Sequence, residues 1–443
     1  MLAMLYLAIG TEAGAYTYPQ HSEKNRKETR AERRERKRKE KYATEAPNGA
    51  AKAAAGNDNK EKPKQPGPKR KQELSYPETR LKKRYRVSVV VPLYLDELVR
   101  GESVTFKDKV PDKAAAGLAF YQGVKLAADS LERAGAQLDV YIHDAGSFSE
   151  SPEMLISNRK LDSTDLVIGA VEQHDIPALA TYARKKRINF VSALTNYDGW
   201  VKDNQYFTML QPSVKSHCEF IIDELSRRYA GQTVPLLYRT SSLADDNAAL
   251  YMLNDLYSDV TFHKLQCNTL PTRETLAGIL DSTRPNILAV SILDATFADS
   301  ILASLARYYP GVHFEVWGMP TWNGIPSLRK QNAYKNITVR VTYPFNFAKG
   351  DSTLQLSIQQ AFRRDFGGVP SEMVMRGYET MLWYGTLLRR YGTIFNNDYT
   401  DLRGAPFTDM KIKPRWDRNG SLLYLENKNI YLSTYQGGIY KTE

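Results

Sequence analysis

Residues 165–196, which read DLVIGAVEQHDIPALATYARKKRINFVSALTN, hold two short apolar runs with one amphipathic helical stretch between them. The runs LVIG and INFVS both end abruptly in small and polar residues. Unbroken apolar runs of this length are typical of strands that are buried on both faces of a parallel sheet. The stretch therefore predicts a strand–helix–strand unit. Its polar strand ends either border a binding site or are merely the way in which buried strands end.

The same alternation of strand-like and helix-like segments extends on both sides of this stretch. One series runs from RVSVVVPLYL, which begins at Arg86, to YFTMLQP, and a second series of similar size runs from VKSHCEFIIDELSRRYA to HFEVWGM. NITVRVTYPF and a helical stretch over 353–391 follow without a third complete series. Asn419-Gly420 and Gly437-Gly438 lie between β-rich runs, as in consecutive hairpins. We predict an α/β fold with two parallel sheets, followed by a C-terminal β-hairpin extension.

The N-terminal part of the chain differs in composition from the rest. Residues 1–15 contain an apolar run followed by Ala13-Gly14-Ala15, a pattern typical of a secretory signal peptide, although a basic start is missing. Residues 22–86 carry 23 Lys or Arg against 10 Asp or Glu, so the net charge of +11 belongs to this segment. With almost no large apolar side chains, residues 16–85 are predicted to form a disordered basic linker. We expect an exported, periplasmic protein without a transmembrane segment.

Two uses of the basic linker stay open. The linker is a solvated tether, or it docks on an anionic surface such as phospholipid, cell-wall polymer or nucleic acid. Because no aromatic side chains are interleaved with the charges to stack on bases, a specific nucleic-acid partner is not expected.

Motifs that would indicate catalysis or a cofactor are absent from the sequence. No glycine-rich phosphate loop, nucleophile elbow or His-Glu-x-x-His motif occurs. The six histidines are scattered, and Cys218 and Cys267 have no His at metal-ligand spacing. We expect no enzyme activity, no cofactor and no metal, with Asp144 or Glu172 as the residues on which a catalytic alternative would depend. The two cysteines are expected to be buried thiols rather than a disulfide.

Three stretches carry a resemblance to a known family. They are AAAGLAFYQGVKLAADSLERAG, which includes Phe120-Tyr121-Gln122-Gly123-Val124, STDLVIGAVEQHDIPALATYARKKRINFVSALTN and YFTMLQPSVKSHCEFIIDELSRR. In order and pattern, residues 86–400 resemble the type I periplasmic binding proteins of the branched-chain amino-acid receptor kind. The ending WDRNGSLLYLENKNIYLSTY is similar to that of envelope-associated members in Bacteroidetes-type bacteria. Those members often carry a peptidoglycan-binding LysM module upstream, and here the basic linker occupies that place.

The resemblance implies two Rossmann-like lobes that are joined by three crossovers and separated by a ligand cleft. Residues 86–212 would form the first part of lobe 1, and residues 213–324 would form lobe 2. Residues 325–400 would return to lobe 1 and supply the hinge, and residues 401–443 would form the hairpins. Ligands are expected beyond the carboxyl ends of the strands, as in other open α/β sheets.

The sequence departs from the amino-acid receptors at two strand ends. Where those receptors have Gly-Pro and a Ser or Thr for the ligand carboxylate, this chain has Gly169-Ala170-Val171-Glu172-Gln173-His174. Where they have a Ser/Ala-Thr stretch for the amino group, it has Ser192-Ala193-Leu194-Thr195. A glutamate that points into the cleft would repel a carboxylate. The expected site therefore keeps its place at the cleft edge but has an altered ligand preference.

Strand-end position selects the candidate ligand-binding residues. In lobe 1 they are Tyr94, Asp144, Ser147, Glu172, Gln173, Ser192, Thr195, Tyr197 and Trp200, and in lobe 2 they are Tyr238, Arg239, Ser241, Asp294, Trp317 and Trp322. Structural alternatives stay open for several of them. These are turn or capping roles for Ser192, Thr195 and Asp294, a surface salt bridge for Arg239 and core packing for the tryptophans.

Two functions follow as expectations. The first is a non-enzymatic periplasmic protein whose two lobes close on a small polar ligand. The second is an envelope regulator or scaffold, similar to peptidoglycan-synthase activators with this fold, in which the cleft is vestigial and the partner is an envelope protein or peptidoglycan. The altered strand end at Glu172 favours the second, as does the lack of a lipid-attachment cysteine in the first 200 residues.

Overall fold

The computed structural model describes residues 73–196, 201–255, 258–281, 285–347, 352–399, 405–417 and 419–442. The predicted signal-peptide-like segment, most of the predicted basic linker, and the candidate residues Tyr197 and Trp200 lie outside these ranges. Across the described ranges, no helix combines the length and the apolar character that crossing a membrane requires.

The first lobe begins with strands that alternate with helices. In chain order its elements are β1 (Tyr85–Val91), α1 (Leu95–Leu98), β2 (Val99–Arg100), β3 (Ser103–Val104), α2 (Asp112–Arg133), β4 (Leu138–Asp144), α3 (Pro152–Ser157), β5 (Leu166–Gly169), α4 (Ile176–Lys186), β6 (Asn189–Ser192) and β7 (Phe207–Met209). The strand–helix–strand unit predicted from residues 165–196 is confirmed as β5, α4 and β6. The two strands pair in parallel and are buried at every position.

Local signals explain where α4 begins and ends. Pro177 lies in its first turn, where a missing N–H costs nothing. Arg184, Lys185 and Lys186 occupy the last turn and complement the negative end of the helix dipole. The helix stops at Arg187, whose φ of 55° is left-handed. The abrupt boundaries seen in the sequence are therefore helix and strand ends in the structure.

The second lobe repeats the alternation. Its elements are α5 (Val214–Tyr229), β8 (Thr233–Tyr238), α6 (Leu243–Leu250), β9 (Thr261–Gln266), α7 (Arg273–Ala277), β10 (Asn286–Val290), α8 (Ala295–Tyr308), β11 (Phe314–Gly318) and β12 (Ile337–Tyr343). Strand β12 lies within the segment that was expected to return to lobe 1. It pairs in parallel with β11 instead, so the second lobe extends to Tyr343.

The remaining elements complete both lobes. They are α9 (Ser352–Phe366), α10 (Glu372–Tyr391), β13 (Ile412–Trp416), β14 (Leu422–Asn427), β15 (Tyr431–Gln436) and β16 (Ile439–Thr442). The two predicted hairpins, β13–β14 and β15–β16, are both present. Each extends a different sheet, because β14 pairs with β7 and β15 pairs with β12.

Two seven-stranded sheets result, and the chain crosses between them three times. Their strand orders are β13-β14-β7-β6-β5-β1-β4 and β16-β15-β12-β11-β10-β8-β9. The crossings follow β7, β12 and β14, whose last residues are Met209, Tyr343 and Asn427. Strand β14 is parallel to β7, so both strands of the first sheet end at its carboxyl edge. In the second sheet β15 begins at Tyr431, which lies opposite Tyr343, the last residue of β12. All three crossings therefore connect the carboxyl edges of the two sheets. Those two edges therefore meet at a common hinge.

Helices α2 and α10 approach each other to backbone contact in lobe 1. A Cβ atom at Gly123 would overlap the carbonyl oxygen of Val374, and one at Gly377 would overlap the carbonyl oxygen of Phe120. Glycine at both positions is therefore needed for this close packing. It accounts for Gly123 within the Phe-Tyr-x-Gly stretch that carried the family resemblance.

The two cysteines lie in the core of the second lobe. The Sγ atom of Cys218 lies 3.9 Å from the carbonyl oxygen of Ala248, and that of Cys267 lies 3.7 Å from the carbonyl oxygen of Leu265. The two thiols are thus not joined to each other. Burial raises the pKa of the Cys267 thiol to about 11, so this side chain stays protonated near neutral pH.

A buried glutamate fixes the loop that precedes β13. Glu379 of α10 is 1% exposed, and its Oε1 accepts hydrogen bonds from the backbone N–H groups of Phe407 at 3.0 Å and Thr408 at 2.6 Å. Burial raises the pKa of Glu379 to about 7, although these hydrogen bonds and Arg376 act in the opposite direction. The folded protein therefore keeps a proton at pH values where the unfolded chain has released it.

Replacing either helix-contact glycine should destabilise the protein. We expect Gly123→Ala and Gly377→Ala each to lower the free energy of unfolding by about 1–3 kcal/mol, because the helices must move apart. Urea unfolding measures the change. Gly311→Ala is the matched control, since a Cβ there meets no atom within 4 Å. Glycine variants as stable as this control would contradict the close packing.

The stability of the protein should depend on pH through Glu379. Because the pKa in the folded state is raised from 4.5 to about 7, the free energy of unfolding should fall as pH rises through this window. In Glu379→Gln that part of the loss should vanish. Between about pH 5 and about pH 8, urea unfolding should show a loss on the order of 2 kcal/mol larger in the wild type. Equal losses in both proteins would contradict the assignment, and Glu132→Gln on the exposed face of α2 is the control.

Candidate functional site

The candidate site is the pair of strand-end rims that adjoin the hinge. Loops after β1, β4, β5 and β6 form the rim of lobe 1, and loops after β8, β10 and β11 form the rim of lobe 2. Ligands of open α/β folds bind at such carboxyl edges.

Asp144, at the end of β4, fixes the loop after β1. Its Oδ1 accepts from the backbone N–H groups of Leu93 at 2.7 Å, Tyr94 at 3.0 Å and Gly146 at 2.9 Å, and its Oδ2 accepts from Leu95 at 2.7 Å. The side chain is buried. Both carboxylate oxygens thus act within the fold and position Tyr94.

Tyr94 presents an aromatic ring at the rim in a left-handed backbone conformation, with φ of 55°. The ring lies so close to Gly146 that a Cβ there would be 2.7 Å from it. The Lys113 ammonium lies 4.5 Å from the ring centroid, which is a cation–π geometry. The hydroxyl donates to Oε1 of Glu172 at 3.5 Å. Burial and the Glu172 charge raise the pKa of Tyr94.

The strand end at Glu172 is acidic. The Glu172 side chain is 51% exposed, and its Oε2 lies 3.5 Å from Nδ1 of His174. Nε2 of the same histidine lies 3.4 Å from Oδ1 of Asp175. Burial raises the pKa of Asp175 to about 6, and the charges of Glu153 and Glu172 act in the same direction. The charge of His174 acts in the opposite direction. A negative potential therefore surrounds this part of the rim.

Several predicted hydrogen-bond donors of lobe 1 are engaged within the fold. The Ser192 hydroxyl donates to the carbonyl oxygen of Thr195 at 3.2 Å, and the Thr195 hydroxyl donates to that of Val171 at 2.6 Å. Gln173 donates from Nε2 to the carbonyl oxygen of Asn196 at 3.0 Å, but its side chain is exposed. These contacts match the turn role that the sequence left open for Ser192 and Thr195.

Ser147 is engaged in the same way. It is buried, donates to the carboxylate of Asp96 and lies 3.0 Å from the Ser149 hydroxyl. In the conformation described, its hydroxyl is directed at these neighbours.

On the rim of lobe 2, Arg239 and Asp294 form an ion pair. Nη1 of Arg239 lies 2.9 Å from Oδ2 of Asp294, and the guanidinium lies 4.4 Å from the ring centroid of Phe297. Oδ1 of Asp294 accepts from the N–H groups of Thr296 and Phe297 and caps α8. The salt-bridge and capping roles left open by the sequence are thus both present, while each side chain keeps some exposed surface.

A buried aspartate organises the second rim as Asp144 organises the first. Oδ1 of Asp245 accepts from the N–H of Leu293 at 2.8 Å, and its Oδ2 accepts from the Ser241 hydroxyl at 3.3 Å. Asp245 was missed in the sequence. The signal that was present is its place three residues after Ser242, whose hydroxyl caps α6 by accepting from the N–H of Asp245. Tyr238, at the end of β8, is half-buried.

The two described candidate tryptophans lie in the core of lobe 2. Trp317 is 1% exposed and donates from Nε1 to Oε1 of Glu315 at 3.0 Å. Trp322 has no exposed surface and donates to the carbonyl oxygen of Ile292 at 2.8 Å. Its indole packs on Gly318, where no Cβ fits. This is the core-packing alternative, and in this conformation neither ring offers a face to the cleft.

The hinge contains a buried ionic cluster at two of its crossings. Oε1 of Glu426, which has no exposed surface, accepts from the N–H of Ser213 at 2.6 Å and the hydroxyl of Ser216 at 2.9 Å. Nζ of Lys428 lies 3.2 Å from Oε2 of the same carboxylate. Burial would raise the pKa of Glu426, but the charges of Lys428 and Arg415 outweigh it and hold the pKa below its usual value. The hydrogen bonds from Ser213 and Ser216 to this carboxylate therefore join the first crossing to the third.

The remaining crossing is tied to lobe 1 through Tyr343. Its hydroxyl donates to the carboxylate of Glu372 and accepts from Nη2 of Arg376 at 2.6 Å. The Arg376 guanidinium also lies 3.9 Å from the ring centroid of Phe345, within the crossing itself. All three crossings thus have polar anchors.

The arrangement is suited to binding by charge and hydrogen bonds. Exposed or half-exposed groups at the rims include Tyr94, Glu172, Gln173 and His174 in lobe 1 and Tyr238, Arg239, Ser241 and Asp294 in lobe 2. In the ranges that the structure describes, no group of three or more His, Cys, Asp or Glu side chains is arranged to hold a metal ion.

Comparisons with known proteins address the fold. No protein-family model matches the chain, and no curated protein matches it. An ABC transporter substrate-binding protein from Desulfitobacterium hafniense, in complex with Leu, matches with a TM-score of 0.51 and 15% identity, over 81% of this chain and 100% of that one. A branched chain amino acid ABC transporter periplasmic ligand-binding protein from Burkholderia xenovorans matches with a TM-score of 0.52 and 14% identity, over 81% and 94%.

Full-length LpoA from Haemophilus influenzae also matches, with a TM-score of 0.51 and 12% identity, over 83% of this chain and 60% of that one. At such low identity these structures establish a shared architecture. The chain has the two-lobe fold of the type I periplasmic binding proteins.

Proposed function

We propose that this protein is a non-enzymatic binding protein, exported to the periplasm, whose two lobes close on a small polar ligand. The observation that carries the proposal is the meeting of both carboxyl strand edges at one three-segment hinge. Hinged lobes of this kind close around ligands held between them. The signal-peptide-like start, the basic linker and membership of the envelope-type subgroup belong to the same proposal.

The rim charges define what the ligand should look like. Glu172 and Asp175 place carboxylates at the strand end of lobe 1, so a bare carboxylate would meet repulsion there. Arg239 directly follows β8 at the rim of lobe 2 but is already paired with Asp294. A ligand with hydrogen-bond donors or a positive group toward lobe 1 fits these charges better than a simple amino-acid carboxylate does.

A ligand that bridges the lobes should raise the melting temperature of the purified full-length protein. At roughly 100 times its Kd a ligand adds about 2.7 kcal/mol of stability, which corresponds to a shift of several degrees. The screen covers amino acids, amines, peptides and cell-wall fragments. Glu172→Gln and Arg239→Gln should each weaken the response at least tenfold in apparent affinity, whereas Glu132→Gln, remote from the strand ends, should not. A flat response across the panel would count against the proposal.

A second candidate function is an envelope scaffold or regulator with a vestigial cleft. The observation in its favour is that four candidate residues form hydrogen bonds within lobe 1. They are Asp144, Ser147, Ser192 and Thr195. A rim of this kind leaves few groups for a ligand. The partner in this case would be an envelope protein or peptidoglycan.

Affinity purification from envelope extracts of the native host distinguishes the two candidates. A scaffold should retain a defined partner or peptidoglycan fragment with equal yield in the wild type and in the double variant Glu172→Gln/Arg239→Gln, because the cleft takes no part. If the partner is lost in the double variant but kept in Glu132→Gln, the scaffold proposal with a vestigial cleft fails.

A further inference from the structure

A cavity of about 310 Å³ lies on the outer side of lobe 1, between α2, α9 and α10. Helix α2 leads from the carboxyl end of β1 to the amino end of the parallel strand β4. Its second half, which borders the cavity, therefore lies away from the cleft. Leu126, Ile358 and Ala361 give the cavity an apolar wall. Nothing in the proposed cleft function uses this space.

The charges of the side chains that line the cavity do not sum to zero. They are Asp129, Arg133 and Arg364. Asp129 accepts from Nζ of Lys125 at 2.9 Å, and Arg364 donates from Nε to Asp365 at 2.7 Å. Among the residues that the structure describes, Arg133 forms no such close ion pair, although its charge acts on the more distant carboxylate of Asp365. Two arginines and one aspartate give the lining of the cavity a net positive charge.

Arg133, an exposed residue in the last turn of α2, is hydrogen-bonded to a chain of polar side chains that line the cavity. Its Nη2 donates to the Ser130 hydroxyl oxygen at 3.0 Å, and that oxygen also lies 3.3 Å from the hydroxyl of Tyr378, which is buried. Ser130 itself donates to the carbonyl oxygen of Leu126 at 2.9 Å. One guanidinium N–H of five is used in this way, so the group is oriented while most of its donors remain for a ligand.

We propose that this cavity is a second ligand site, distinct from the cleft, and that it takes a small organic acid with one carboxylate and a short apolar part. The carboxylate is matched by the guanidinium of Arg133 and the net positive charge of the lining, and the apolar part by Leu126, Ile358 and Ala361. The volume of the cavity is also large enough for such an acid, since a cavity of about 150 Å³ already accommodates benzene. The space suits an acid of roughly eight to ten non-hydrogen atoms.

Titration calorimetry of the purified full-length protein tests the proposal with hexanoate as the probe. Hexanoate should bind with one-to-one stoichiometry, and the affinity should weaken with added salt because a charge pair forms. Hexanamide and hexylamine, which share the chain but not the negative charge, should bind at least tenfold more weakly. Absence of hexanoate binding, or equal binding of hexanamide, would overturn the proposal.

Variants locate the binding to this cavity. Arg133→Gln should weaken hexanoate binding at least tenfold, and Ala361→Leu should weaken it by filling the space while leaving the charge in place. Arg363→Gln, an exposed arginine on α9 that does not line the cavity, should bind as the wild type does. The melting temperature of each variant checks that it folds. If Arg133→Gln binds normally, or if Arg239→Gln in the cleft abolishes binding instead, the site has been wrongly assigned.

Discussion

The backbone contact between α2 and α10 is the constraint on which the first lobe depends. Gly123 of α2 packs against the backbone of α10, and Gly377 of α10 packs against the backbone of α2. A methyl group at either position would overlap the backbone of the other helix. The contact joins an early helix of the lobe to a helix that follows most of the second lobe in the chain, after β12 and before β15 and β16. The same helix carries Glu379, which holds the loop before β13, and Arg376, which anchors the crossing at Tyr343. One helix pair thus positions the core of lobe 1, its last strands and part of the hinge.

The hinge shows why the two lobes can be separate cores and still share one cleft. Glu426, at the end of β14, binds the N-cap of α5 through Ser213 and pairs with Lys428, which follows it in the third crossing. A buried ion pair adds little net stability, yet removing one partner leaves a buried charge and is costly. The hydrogen bond from Ser213 holds the first crossing to the third, and separating the two segments would leave the buried carboxylate without this partner. Tyr343, bound between Glu372 and Arg376, anchors the other crossing to lobe 1.

The fold could be predicted from the sequence where the pattern of apolar residues directly reflects burial. Strands β5 and β6 are buried at every position, so their apolar runs and the amphipathic α4 between them could be read directly. The sequence placed β12 in the segment expected to return to lobe 1, whereas the strand pairs with β11 of lobe 2. Which strand it pairs with cannot be inferred from a single sequence. The tryptophans illustrate the same limit. Trp322 follows a strand end, but a short 3-10 turn folds its ring back onto Gly318, and only the tertiary structure shows this direction.

The strand-end positions of the candidate residues could be predicted from the sequence, but the contacts of their side chains only in part. A carboxylate at a strand end can face a ligand or bind the amides of its own loop, and the choice depends on where those amides point. Asp144 takes the second course, and Asp245, in the first turn of α6, likewise binds the amide of Leu293 in the loop after β10. Their loops are thereby fixed before any ligand arrives, which lowers the entropy that binding would cost. Under the proposed binding function, recognition would fall to the side chains that this internal network leaves exposed. In lobe 1 these include Glu172 and Tyr94, so Glu172, where the sequence departs from the amino-acid receptors, would be well placed to select the ligand.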